Sequence, residues 1–332
     1  MSDGATTPRR PGTLRLGTRR SALATTQSTL VARALRERGH DVELVTIVTE
    51  GDVSRSPLTT LGGTGVFAAA LREALVRGEI DLAVHSLKDL PTAAHPDLVI
   101  AAIPQREDPR DAVVGRDGAT LADLGPGARV GTGSPRRVAQ LNALGWGLVT
   151  QDIRGNVDTR LGFVADGSLD AVVLANAGLR RLGRADRVTE VLDPIRMLPA
   201  PGQGALAVEC RTDRADVRAL LAELDDPDTR ACVEAERALL AVLEAGCSAP
   251  VGALGEIVEG ESSDGTSHLE LSLRGFVGSV DGRDELRRSV IGDPADPHAL
   301  ARRLATILLE DGAAELMTTP EMSQSEPLEN VP

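Results

Sequence analysis

The segment "RGEIDLAVHS" (77–86) is loosely repeated as "DGSLDAVVLA" (166–175). In each, a polar turn leads into an apolar run of strand length. A second echo joins "RLGT" (15–18) to "RVGT" (129–132). Around both echoes, strand-like and helix-like segments alternate. In the first half "GTLRLGT" (12–18), "DVELVTIVTEGD" (41–52) and "IDLAV" (80–84) read as strands, and "RSALATTQSTLVARALRERG" (20–39) and "AALREALVRGE" (69–79) as helices. In the second half "ARVGTGS", "GLVTQDI" and "LDAVVLA" are strands, with "PRRVAQLNAL", "VDTRLGFVADG" and "AGLRRLG" as helices. The alternation predicts an α/β protein with two similar lobes, each built on a parallel sheet. "PQREDPRDAVV" (104–114) and "MLPAPGQGALAVEC" (197–210) are rich in Pro or Gly and suit two crossovers between lobes.

After residue 222 the character changes. "DDPDTRACVEAERALLAVLEAG" reads as a capped amphipathic helix that stops at Gly246. "LELSLRGFVGSV" and "ELRRSVIG" alternate like antiparallel strands, and "PHALARRLATILLEDGAAEL" is a further helix. The expected division is domain 1 over 1–105 and 200–222, domain 2 over 106–199, and a small α+β third domain over 223–318. The tail 319–332 has the composition of a disordered segment.

Composition narrows the function. The chain has 332 residues, enough for several domains. It has one Trp, no Tyr and three Phe, which argues against single-strand nucleic-acid binding on stacking platforms. A net charge of −13 argues against a general polyanion binder. "MSDGATTPRRPG" lacks the apolar core of a secretory signal, and no apolar run approaches the ~18 residues of a membrane span. The expected setting is the cytoplasm. The three cysteines, Cys210, Cys232 and Cys247, fit neither a disulfide framework nor a zinc motif.

The chemistry is concentrated at predicted strand ends, where open α/β sheets bind ligands. Lys88, in "DLAVHSLKDLP", is the only lysine; every other basic residue is arginine. Lys88 and Asp89 read either as a weak surface pair with a helix cap or as functional groups. His85 reads as a base or as a packed strand-end side chain, and a Ser86/Lys88 dyad is a remote alternative. "GTRRSALA" (17–24) and "GTGSPRRVAQ" (131–140) share one layout: a strand ending in Gly-Thr, a serine near the helix start, and a double arginine. Ser134 is placed to cap its helix, Pro135 suits the first helical position, and Arg136 and Arg137 fill the first turn. Two cations there oppose the helix dipole, and an anion would reverse that sign. "DIRGNVDTRL" adds Arg154 and Arg160. The clustering predicts a cleft for a polycarboxylate or phosphate. Cys210 and Cys232 read as core residues, whereas "EAGCSAP" reads as a loop in which the Cys247 thiol could be reached.

Taken in series, these stretches resemble the porphobilinogen deaminase (hydroxymethylbilane synthase) family. The motifs are "GTRRSALA", "VTEGD", "GGTGVF", "DLAVHSLKDLP", "REDPRDA", "GTGSPRR", "RGNVDTRL", "AGLRRLG", "PGQGALAVEC" and "EAGCSAP". They run in order from about residue 14 to 252. The resemblance implies two lobes like type II periplasmic binding proteins and a third domain. It implies a transferase of tetrapyrrole and heme biosynthesis that joins four porphobilinogen units head to tail, releasing ammonia each time. The chain grows on a dipyrromethane cofactor held by a thioether to a cysteine that Cys247 matches. Hydrolysis then frees 1-hydroxymethylbilane.

By the same resemblance Asp89 is the catalytic residue, contacting pyrrole N–H groups and stabilising the cation formed as ammonia leaves. Lys88, Ser134, Arg136 and Arg137 would hold the cofactor's acetate and propionate groups, with Asp89 and Thr132 beside them. Arg19, Ser21, Gln27, Arg154, Arg160 and Arg181 would bind carboxylates of substrate and growing chain. Phe67 would pack near the substrate pyrrole, and Gln203 would lie near the hinge. The implied partner is the small molecule alone, with no nucleic acid, membrane or metal, and a monomer.

The chain departs from the family pattern at Thr60, Thr64, Glu50 and Gly133. The first three lower positive charge near the Gly-rich loop. Gly133 removes a common serine and, with it, a hydroxyl near the cofactor. Two rivals remain: a non-catalytic anion-binding protein on the two-lobed fold, and an enzyme of another sort with Cys247 as nucleophile. The first leaves the third domain and Lys88–Asp89 unexplained. The second requires a histidine partner for the thiol, and none lies near Cys247 in sequence.

Overall fold

The structure, a computed structural model, describes residues 12–47, 65–243, 249–261 and 265–317, the side chains of 65–67 excepted. Strand β1 (Leu14–Thr18) leads through helix α1 (Ala22–Glu37) to β2 (Val42–Thr46). Helix α2 (Gly65–Val76) precedes β3 (Leu82–Ser86) and β4 (Leu98–Ala102). The chain continues through β5 (Asp111–Gly115), β6 (Arg129–Gly131), α3 (Pro135–Ala143) and β7 (Val149–Gln151). Then come α4 (Val157–Ala165), β8 (Ala171–Ala175), α5 (Asn176–Arg181) and β9 (Glu190–Val191). Strand β10 (Leu206–Arg211) and helix α6 (Ala215–Leu221) follow. The last elements are α7 (Pro227–Val242), β11 (Val251–Glu261), β12 (Ser267–Gly278), β13 (Glu285–Gly292), α8 (Pro297–Glu310) and α9 (Ala313–Met317).

Two compact units result. One holds residues up to 85 with 94–102 and 207–225; the other holds 86–93, 103–206 and the chain from 226 on. The first unit carries a five-stranded sheet of order β2-β1-β3-β10-β4, and the second carries one of order β7-β6-β8-β5-β9. The orders correspond strand for strand, with β1 matching β6 and β3 matching β8. The repeated segments read from the sequence therefore occupy equivalent places. β1 pairs parallel with β2 and β3, and β6 pairs parallel with β7 and β8.

The sheets are mixed, and this corrects the expectation of parallel sheets. β10 runs antiparallel to β4, and β5 runs antiparallel to both β8 and β9. Both segments read as crossovers contribute these strands: "DAVV" lies in β5 and "LAVEC" in β10. A βαβ pattern reveals the parallel strands, but not where a returning segment inserts into a sheet.

Local chemistry explains the helix boundaries. Ser21 caps α1, its side chain accepting from the Ala24 N–H at 3.3 Å, and α1 buries Gln27, Ser28, Val31, Ala32 and Leu35 on one face. Asp226 caps α7 through the Thr229 N–H at 2.8 Å, and Pro227 stands in the first turn. In the second unit β11, β12 and β13 form an antiparallel meander. Leu239 of α7 and Leu304 and Leu308 of α8 share one apolar cluster with Leu271, Leu273 and Val277 of that sheet. Each such buried side chain contributes about 1.5–3 kcal/mol. Strand β11 escaped the sequence reading because its first five residues are all buried, so it shows no alternation.

Gly204 sits at a tight approach. Its φ is +89°, and an added Cβ would lie 2.3 Å from the Glu107 carbonyl oxygen. Gly162, in α4, has nothing within 4 Å of such a Cβ. We expect Gly204→Ala to destabilise by more than about 1 kcal/mol and Gly162→Ala to stabilise by about 0.4–1 kcal/mol. Urea unfolding midpoints of the two variants should move in opposite directions.

Candidate active site

Helix α3 opens the site, in the second unit. Arg136 and Arg137 in its first turn are buried, and both engage Asp111 at the start of β5, which is fully buried. Arg137 donates to Asp111 Oδ1 from Nε at 3.1 Å and from Nη2 at 2.7 Å. Arg136 Nη2 lies 2.8 Å from Asp111 Oδ2, and its Nη1 donates to the Leu198 carbonyl at 2.6 Å. Burial alone raises the Asp111 pKa, but the charges of Arg136 and Arg137 and hydrogen bonds from Arg137 and Gln203 outweigh it. The carboxyl is held well below the usual range. Burial lowers the pKa of Arg136, with Asp111 acting against it.

The anion expected opposite these cations is thus supplied in part by the chain itself. Ser134 also differs from expectation: it occupies the N-cap position, but its side chain accepts no capping bond. Its N–H donates instead to Thr132 Oγ1 at 3.3 Å, and Thr132 is buried. At Gly133 a Cβ would stand 2.8 Å from the Ile153 carbonyl oxygen, so glycine relieves a backbone contact there.

Lys88 comes into this cluster on the 3-10 turn Leu87–Asp89 that follows β3. Arg237 of α7 holds the turn, donating to the carbonyls of Leu87 at 3.2 Å, Leu90 at 3.0 Å and Pro91 at 2.6 Å. Lys88 Nζ donates to Gln203 Oε1 at 3.2 Å, while Gln203 Nε2 donates to Asp111 Oδ1 and to the Pro109 carbonyl, both at 2.8 Å. Gln203 therefore couples the lone ammonium to the buried carboxylate. Lys88 keeps some accessible surface. Even so, desolvation pulls its pKa down to about 8, with Arg137 and Arg136 acting the same way and Asp89 and Asp111 opposing.

Arg160 belongs to the same field. Burial lowers its pKa, as do Arg137 and Arg154, against Asp152 and Asp89; its Nε donates to the Gly155 carbonyl at 2.9 Å. Arg154 lies 3.5 Å from Asp152, and Arg181 donates to the Gly204 carbonyl at 2.7 Å.

Three functional supports escaped the sequence reading. Asp111 is one; the others are Arg106 and the fully buried Glu236 of α7. Arg106 meets Glu236 through Nη1 at 2.6 Å and Nη2 at 3.0 Å, and donates from Nε to the Gln203 carbonyl at 2.8 Å. Glu236 also accepts the N–H groups of Gly202 at 2.6 Å and Gly255 at 2.8 Å. A signal existed: Glu236 falls on the apolar stripe of α7, one turn after Cys232. A carboxylate on such a stripe needs internal partners.

In the first unit, Arg19 is half-buried, Ser21 caps α1 and Gln27 is buried on its inner face. His85 is packed: its Nε2 lies 3.3 Å from Glu209, which Arg72 grips at 2.9 and 3.1 Å. Cys210 and Cys232 are buried core residues, as read, and desolvation pushes their thiols up to about 11 and about 12. Phe67 lies in α2, but its side chain is outside the described residues, as are Cys247, Glu50, Thr60 and Thr64.

The described residues fit a ligand with several carboxylates. Arg136 and Arg137 share one carboxylate, Arg136 Nε is buried with no hydrogen-bond partner among the described residues, and Lys88 and Arg160 are poised at the same cluster. No described helix is long and apolar enough to cross a membrane.

These features define an α/β protein with a cluster of buried cations in its second unit. Residues 14–219 match the family model of the porphobilinogen deaminase dipyrromethane cofactor-binding domain, and residues 230–310 match that of the porphobilinogen deaminase C-terminal domain. The chain is 60% identical over 305 residues to the porphobilinogen deaminase of Mycolicibacterium paratuberculosis, covering 92% of this chain and 96% of that protein. It is likewise 60% identical over 304 residues to that of Mycobacterium tuberculosis, covering 92% and 98%. Among solved structures, the methionine-binding protein MetQ aligns with 65% of this chain and 90% of its own, at 14% identity and a TM-score of 0.43. The chain belongs to the porphobilinogen deaminase family, and dipyrromethane is its cofactor.

Because Lys88 is the only lysine, amine acylation read on the peptide that carries it reports on this one side chain, apart from the α-amino group. In the protein without cofactor, its reactivity should rise with a midpoint near pH 8, not near the 10.5 of a solvated lysine. Deprotonation grows above that midpoint, so carboxylate affinity should weaken as pH rises past about 8. Lys88→Arg should abolish that part of the decline. A midpoint near 10.5 would mean that Lys88 is solvated.

Proposed function

We infer that this chain is a hydroxymethylbilane synthase. It condenses four porphobilinogen units head to tail on a covalent dipyrromethane primer, releases ammonia at each addition, and frees 1-hydroxymethylbilane by hydrolysis. The observation that carries this reading is the match of both family domains over nearly the whole chain. The Lys88–Gln203–Asp111–Arg136–Arg137 cluster lends the chemistry a place.

When bound, dipyrromethane supplies the primer to which successive pyrrole units are joined. Cys247 would hold it through a thioether. Arg136 has a buried Nε directed at no protein acceptor among the described residues, and it shares Asp111 with Arg137. These arginines would hold acetate and propionate groups of the cofactor with Lys88, Ser134 and Thr132. Guanidinium suits the forked carboxylates, and the compact ammonium suits a single oxygen. A bound carboxylate also raises the Lys88 pKa back toward its ordinary value, so binding keeps the ammonium protonated. Asp89 accepts the pyrrole N–H and stabilises positive charge on the substrate as ammonia departs. It then takes up the proton released when the new carbon–carbon bond forms. By the family resemblance, Arg154, Arg160 and Arg181 would bind carboxylates of substrate and growing chain, and Arg19, Ser21 and Gln27 are expected to have the same role; Phe67 is expected near the substrate pyrrole.

We place the enzyme in the cytoplasm as a monomer. We divide it into domain 1 (1–105 and 200–222), domain 2 (106–199) and domain 3 (223–318), a division that the three separate sheets support.

Intact mass and peptide mapping test the assignment: two linked pyrrole units are expected on Cys247, or are gained on incubation with porphobilinogen. Cys247→Ser should gain no stable adduct. A folded protein that neither carries nor gains such mass would return us to a non-catalytic anion-binding protein. Asp89→Asn should lower kcat by about 10²–10⁴-fold while the protein stays folded; near-parental turnover would remove its acid–base role. Substitution of Arg136 or Arg137 should impair cofactor assembly, and substitution of Arg154 or Arg160 should mainly hinder elongation. Equal cofactor loading in all four would overturn that division.

A further inference from the structure

We propose that Arg287, on β13, is a positioning residue for the Arg136–Asp111–Arg137 cluster, acting through Gln140 and the backbone of Leu198. The proposal rests on the functional reading above, because that reading says what the cluster binds.

Gln140 lies one turn after Arg136 on α3 and is buried. Its amide pairs with Leu198 in both directions. Oε1 accepts the Leu198 N–H at 2.8 Å, and Nε2 donates to the Leu198 carbonyl at 3.0 Å. That same carbonyl accepts from Arg136 Nη1 at 2.6 Å. The place of the Leu198 carbonyl therefore helps set the Arg136 guanidinium, whose Nη2 engages Asp111 at 2.8 Å.

Arg287 enters at the amide. Its Nη2 donates to Gln140 Oε1 at 3.2 Å. A flipped amide would set the Gln140 NH₂ against two donors, the Leu198 N–H and Arg287, so Arg287 helps enforce one orientation. Arg287 is itself anchored. Its guanidinium carbon lies 4.8 Å from the Phe276 ring centre, and Glu285 accepts from Nε at 3.1 Å. Phe276 is fully buried in a cluster with Ala139, Leu198 and Leu254. A second bond, Asn142 Nδ2 to the Val280 carbonyl at 2.8 Å, ties the end of α3 to the turn between β12 and β13. One side chain thus reaches the arginine helix from the third sheet.

The test uses cofactor-free full-length protein incubated with porphobilinogen, with the rate of mass gain followed on the intact chain. Arg287→Met keeps an unbranched side chain over Phe276 and removes the donor. It should slow assembly by about three- to ten-fold while the unfolding midpoint stays near parental. Arg287→Lys, which keeps a cationic donor, should recover part of the loss. In an Arg136→Lys background Arg287→Met should add less than about a two-fold effect, because the two act in one path. A parental assembly rate in Arg287→Met, or effects that multiply fully in the double variant, would overturn the proposal. Should Arg287→Met not fold, Arg287→Gln, too short to reach Gln140, carries the same comparison. A wild-type protein that gains no mass would instead remove the functional reading, and this proposal with it.

Discussion

One buried carboxylate organises the second unit. Asp111 has no exposed surface and receives Arg136, Arg137 and Gln203. Taking such a charge out of water is unfavourable by several kcal/mol unless its partners are well placed. Those partners come from separate stretches of chain: the start of α3 and the segment before β10. The need to satisfy Asp111 therefore dictates how these stretches meet. Two guanidinium groups on one carboxylate leave positive charge in excess, and Lys88 joins it through Gln203. In a protein of net charge −13 that local excess is a field opposite in sign to the whole chain's.

Glu236 does comparable work one shell away. It accepts from Arg106 and from the backbone of Gly202 and Gly255, and Arg106 in turn holds the Gln203 carbonyl. The Gly202–Gly204 bend is thus held in place from both sides. Breaking a buried pair of this kind by removing one member costs about 3–5 kcal/mol, since the other charge stays behind without compensation. The cluster inherits its geometry from these supports as much as from Arg136, Arg137 and Lys88 themselves.

Much of the fold was legible in the chain. The echo of 77–86 in 166–175 marked equivalent strands, and the two sheets share one strand order. The helix read as capped after residue 222 is capped by Asp226, and Ser21, read only as a serine near a helix start, caps α1. What misled was local resemblance without local cause. Ser134 has the sequence of a cap, yet its side chain makes no capping bond. The segments 104–114 and 197–210 have the Pro and Gly of connectors, yet each contributes an antiparallel strand. Strand β11, buried throughout its first half, lost the alternation that would have marked it.

By itself the sequence determined the α/β alternation, the two-lobed repeat, the change to antiparallel strands and long helices after residue 222, and the identity of the cationic residues. These follow from periodicity, capping chemistry and residue type, which act over a few neighbouring positions. Only the tertiary structure decided that Asp111 would be the carboxylate between Arg136 and Arg137. The same holds for Gln203 joining Lys88 to that carboxylate, and for Arg287 reaching Gln140. These partners lie far apart in the chain: 92 residues separate Gln203 from Asp111, and 147 separate Arg287 from Gln140. No local pattern encodes such pairings, because burial creates the demand for a partner and only the packed fold determines which one answers it.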